Sequence, residues 1–153
     1  MGLDLICEFE RWTENGWVYL PVWEQESPEL FDTAALSISH DYDFFGLLGR
    51  DYLSVPPIAL KRGLPTDATA EVRAIWEGLK DDPSITNLSW VTLDELVGYD
   101  WDTEFYGSIY SLQEGESRSA RVAASDFLTR TLPYLQTLVS DPRCLRMVFW
   151  FGC

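Results

Sequence analysis

Residues 3–10 alternate between apolar and polar positions, with Leu3, Leu5, Cys7 and Phe9 on one face and Asp4, Ile6, Glu8 and Glu10 on the other. That period of two predicts a half-buried strand. Glu14-Asn15-Gly16 supplies turn chemistry, because Asn-Gly readily takes positive φ. Residues 17–23 read as the returning strand of a hairpin, with Pro21 favouring an edge or a strand end because it lacks an N–H. Residues 144–151 (CLRMVFWF) form the other strong strand signal. They are apolar on both faces, which predicts a central position in the sheet.

Helical patterns lie between these strands. Residues 42–49 predict a short apolar helix stopped at Gly49, and a helical turn is expected near Pro28–Ala35. The Pro- and Gly-rich stretch 50–66 reads as a long loop. Val72, Ile75, Trp76 and Leu79 share one face at helical spacing, with Thr66 or Asp67 as the expected cap. Thr92-Leu93-Asp94-Glu95 is a capping-box pattern that predicts a helix over 93–97. Residues 104–112 read as a strand and 118–131 as a helix, which Pro133 must kink or end. The expected fold is a single α+β domain over residues 1–153. Its sheet is mostly antiparallel, formed by the N-terminal hairpin and the C-terminal strand, with helices packed on one side.

Composition sharpens this picture. The apolar fraction of 46% and aromatic fraction of 14% are too high for a disordered acidic segment. The net charge of −14 is unevenly placed: residues 1–110 carry 21 acids and 6 bases, and residues 111–153 carry 4 acids and 5 bases. Such an acidic domain repels nucleic acid and attracts basic partners, although ordinary solubility also accounts for charge of this sign. Three cysteines without metal-type spacing argue against a disulfide framework or structural zinc, and fit reduced thiols in a cytosol. Neither a signal-peptide pattern nor an apolar run of membrane-spanning length is present, so a cytoplasmic location is expected.

Candidate chemistry is sparse. The single histidine, His40, sits beside Asp41 and Asp43, but no nucleophile-elbow motif accompanies it. Asp100, Asp102 and Glu104 fall at i, i+2 and i+4; in an extended segment they line one face at about 6.6 Å intervals. That row fits three readings: a solvated strand edge, a surrogate for backbone phosphates, or a metal or acid–base site. Glu24, Glu26, Glu29 and Asp32 form a second acidic run. Arg118 and Arg121 lie three apart near an expected helix start. With Arg143 and Arg146 they can form an anion pocket, with Trp90, Trp101 or Tyr106 stacking on a base; the alternative is pairing with the chain's own carboxylates. No glycine pattern supports a phosphate-cradling loop.

Several blocks, taken in order, resemble a family of small uncharacterised proteins encoded in phage and prophage genomes. They are Met1-Gly2-Leu3-Asp4, Asp41-Tyr42-Asp43-Phe44-Phe45, Arg62-Gly63-Leu64-Pro65 with Asp67, Ser89-Trp90-Val91-Thr92-Leu93-Asp94-Glu95-Leu96, and Tyr99-Asp100-Trp101. Typical members are His-rich at two places that here hold Ile6 and Thr86-Asn87-Leu88. Any metal held by those histidines therefore has no such ligands in this chain. The resemblance implies a phage setting, in which small acidic proteins act against host defence.

Together these features lead to a first expectation of a non-enzymatic, cofactor-free anti-defence inhibitor. It would present Glu24, Glu26, Asp41, Asp43, Asp100, Asp102 and Glu104 to a basic nucleic-acid-binding effector, with a CRISPR complex as the foremost candidate. The alternative is a sponge for a cyclic or modified nucleotide, using Arg118, Arg121, Trp90, Trp101 and Tyr106. A third reading is a metal-dependent hydrolase built on Asp4, His40 and Asp100.

Overall fold

A computed structural model describes residues 4–22, 42–49, 56–106 and 116–152. The expected hairpin is present as β1 (Asp4–Thr13) and β2 (Gly16–Leu20), joined through Glu14-Asn15 with Gly16 at φ 103°. The strand β6 (Leu145–Gly152) is buried along its whole length and lies between β1 and β3 (Thr86–Thr92). The four-stranded sheet has the order β2-β1-β6-β3, and every pair is antiparallel. A second, two-stranded sheet joins β4 (Glu104–Tyr106) to β5 (Ser117–Ser119). The fold is α+β.

Because β6 is apolar on both faces, both faces need cover. On one face, Cys7, Phe9, Met147, Phe149 and Phe151 pack against α1 (Tyr42–Leu47), α3 (Leu93–Gly98), α4 (Ala120–Ala123) and α5 (Leu132–Leu138). On the other face, Val148 and Trp150 meet Val72, Ile75 and Trp76 of α2 (Ala70–Glu77). The expectation of helices on one side therefore holds for four helices and fails for α2, because the even-numbered positions of β6 would otherwise leave Trp150 in water.

Local chemistry explains the remaining boundaries. Thr69, rather than Thr66 or Asp67, caps α2, its hydroxyl accepting the Val72 N–H at 3.3 Å. Thr92 and Glu95 form the complete capping box of α3. The single helix expected over 118–131 is instead β5, α4 and a π-helical turn over Phe127–Thr131. Pro133, near the start of α5, has no N–H to donate, and the chain widens into the π turn just before it. The free edge of β3 is covered by the loop before α2: Gly63 donates to the Leu88 carbonyl and the Arg62 N–H to the Ser89 hydroxyl. The expected turn near Pro28–Ala35 lies outside the described residues. Among the described residues no helix is long and apolar enough to cross a membrane.

Candidate functional site

The even-numbered face of β6 carries a charge. Arg146 stands opposite Glu10 in the β1–β6 register, and its Nε donates to Glu10 Oε1 at 2.6 Å. Nη1 reaches Asp67 Oδ1 at 2.8 Å, and Nη2 reaches the Asp67 carbonyl at 3.2 Å. The second oxygen of Glu10 accepts the Thr69 N–H at 2.6 Å. A buried ion pair is tolerated where hydrogen bonds satisfy its remaining valences, and these contacts do so. The Asp67 carboxyl is held below its ordinary range by the Arg146 hydrogen bond, against a smaller opposing effect of desolvation.

Indole rings line this charge. The Arg146 guanidinium lies 4.1 Å from the Trp17 ring centroid and 5.7 Å from that of Trp90. Arg62 lies over Trp90 at 4.4 Å and grips Glu95 with two hydrogen bonds of 2.7 and 2.5 Å. Burial pushes the Glu95 carboxyl up, but hydrogen bonds from Arg62 and the Thr92 backbone outweigh it and hold it below its ordinary range. Trp12 meets Trp17 edge-on, with centroids 5.4 Å apart, and ends the row at the surface. The sequence hides this ladder because its members come from β2, β1, β6, β3 and the loop before α2. The available signal was an arginine inside an otherwise apolar strand.

Trp12 is 48% exposed. Two open hollows of about 270 and 380 Å³ flank it. Arg11, Leu138, Val139 and Ser140 contribute to the smaller, Trp17 and Arg143 to the larger, and Asp141 and Cys144 to both. The short 3-10 turn Pro142–Cys144 places these last groups, with Asp141 capping it by accepting the Arg143 N–H.

The anticipated acidic row does not form as an extended strip. The Asp100 carboxylate accepts the Asp102 N–H, and the Asp100 carbonyl accepts the Thr103 N–H, so the chain turns here. Only Glu104 belongs to a strand. Asp102 is held by Arg121, whose Nε donates at 3.0 Å, so the row and the basic pocket expected from sequence meet and neutralise each other there. Arg118 lies in β5 rather than at a helix start; Arg143 is tied to Asp141 and Arg146 is buried on the sheet. Trp101 is buried, its indole N–H donating to the Leu96 carbonyl, and Trp90 has guanidinium groups against its ring, so neither offers an open stacking face. Glu24, Glu26, His40 and Asp41 lie outside the described residues, as do the side chains of Asp43 and Tyr106. Among the described residues no group of three His, Cys, Asp or Glu could hold a metal. Cys7 is buried, and desolvation pushes its thiol far above the ordinary range, which makes it a packing residue rather than a nucleophile.

No protein-family model, curated protein or solved structure matches this chain.

Proposed function

We propose that this chain acts by binding rather than by catalysis, presenting an acidic surface to a basic protein partner. The supporting observation is how its charges are paired. Arg62, Lys80, Arg121, Arg143 and Arg146 are each tied to a carboxylate of the same chain. Among the described residues exposed Glu14, Glu71, Glu104 and Asp126 have no ion pair, and they outnumber the exposed bases without one, Arg11, Lys61 and Arg73. Negative charge that the molecule does not neutralise internally is available to a basic surface and steers its approach.

The resemblance to phage-encoded proteins supplies the setting. In that setting the partner is a host defence effector, with a CRISPR complex first among candidates, and the carboxylates compete with nucleic acid for its Arg and Lys side chains. The nucleotide-sponge reading gains no support, since Trp101 is buried and Trp90 already has guanidinium groups against its ring.

The test is native mass spectrometry of the protein purified at low ionic strength from cells with active defence systems. A basic co-purifying protein that dissociates as salt rises is the expected result. A bare chain, or a bound mass of nucleotide size, overturns the proposal.

A further inference from the structure

We infer that the larger hollow beside Trp12 is a subsite for an arginine side chain of the partner. The inference rests on the binding reading above and names the group that enters. This fold builds one three-part contact twice. In the first, the Trp90 ring meets the Arg62 guanidinium at 4.4 Å while Glu95 holds that guanidinium. In the second, the Trp17 ring meets Arg146 at 4.1 Å while Glu10 and Asp67 hold it. Each pairs an indole face with a carboxylate around one guanidinium.

Trp12 continues the row by one more ring, and Asp141 lines the same hollow. Indole and carboxylate are both in place, and among the described residues no guanidinium lies over Trp12. The site repeats the indole and the carboxylate of the contact, but Asp141 here is paired with Arg143, and the indole face of Trp12 is what lacks a guanidinium among the described residues. Hydrogen bonds from Arg143 hold the Asp141 carboxyl below its ordinary range. Arg143 takes one side of that carboxylate: the backbone N–H and Nε reach Oδ1, and Nη2 reaches Oδ2. A carboxylate has about four acceptor sites, so Oδ2 can take a second donor. The Asp141–Arg143 pair is solvent-facing, and such pairs rearrange at little cost. Arginine fits better than lysine, because a planar, weakly hydrated guanidinium stacks on indole. Arg143 and Arg11 near the hollows make a phosphate-bearing ligand the competing class. The larger hollow is lined by one carboxylate and one guanidinium, so the preference for a cation rests on the open indole face of Trp12 and on the acidity of the whole chain.

The test titrates the full chain with poly-arginine and poly-lysine peptides of equal length, and with AMP. Calorimetry reads affinity, and heteronuclear NMR follows the Trp12 indole N–H. Poly-arginine is expected to bind about threefold more tightly than poly-lysine, with a shift of the Trp12 signal. Trp12→Ala should erase that preference and leave the poly-lysine affinity unchanged; Asp141→Asn should reduce the preference independently of the Trp12–Trp17 contact. Equal affinity for the two peptides overturns the subsite and leaves the acidic-surface reading standing. No affinity for either overturns both. An AMP-induced shift of the Trp12 signal without arginine preference reassigns the hollow to an anion and overturns the inference.

Discussion

Arg146 and Arg121 each hold a carboxylate, at 2.6 and 3.0 Å, yet the two regions obey different rules. The side chains of Arg146 and Glu10 are 3% and 0% exposed, whereas those of Arg121 and Asp102 are 58% and 78% exposed. In the sheet, water cannot replace a lost partner, so the pair fixes where β1, β6 and the segment before α2 sit relative to one another. At the surface water replaces either partner, so Asp102 can exchange Arg121 for a cation of another molecule. Charge on this protein thus serves architecture in one place and remains exchangeable in the other.

The largest test of that contrast is Arg146→Leu. It strands the Glu10 carboxylate in the sheet and is expected to cost about 3–5 kcal/mol in urea unfolding. The double variant Glu10→Leu/Arg146→Leu should recover most of the loss; a double variant as unstable as the single would mean that packing, not charge pairing, sets the cost. Next comes Thr92→Ala, which removes the cap of α3 and loosens the Glu95 gripped by Arg62. About 1 kcal/mol is expected by the same measurement.

Acid titration sharpens the contrast further. Asp67 and Glu95 have carboxyls lowered in the fold, so their stabilisation is complete above the ordinary carboxyl range near pH 4 and disappears as pH falls through their lower folded values. Asp67→Asn should flatten this acid limb of stability. Glu8 has the opposite sign: burial raises its carboxyl, against the Tyr19 hydroxyl that donates to it at 2.8 Å, so stability from this group grows as pH falls through the raised value. Glu8→Gln should therefore be neutral or slightly stabilising at pH 7. The smallest effect is expected from Asp102→Asn, under about 0.5 kcal/mol, since the pair it breaks is solvated. A larger loss would place Asp102 among the architectural charges.

The parts of the fold governed by short-range patterns were legible in the sequence. Alternation in residues 4–9, the Asn15-Gly16 turn, the apolar run of β6 and the Thr92–Glu95 box each carry their own signal. β3 did not, for a physical reason. Asn87 takes φ 59° and the register with β6 shifts between Thr86 and Ser89, so no clean period of two survives in a segment already rich in Thr, Asn and Ser. The candidate site was less legible still. Trp12, Trp17 and Asp141 converge only through the hairpin and the turn before β6, and spacing along the chain holds no trace of that. The Asp100, Asp102 and Glu104 row required an extended segment, but Asp100 hydrogen-bonds its own backbone two residues on, and the turn prevails.

The central strand is the last of the four to be made. Its contact between Glu10 and Arg146 spans 136 positions of sequence. On a translating ribosome the β1–β2 hairpin therefore waits, with its Phe9 face lacking the strand it leans on, until residues 145–152 have left the exit tunnel. A two-stranded hairpin is marginal alone, so the sheet assembles late and in one step, through contacts of high order that form slowly. During that wait the apolar face of the hairpin is left open, and exposed surface of that kind favours aggregation until the sheet closes.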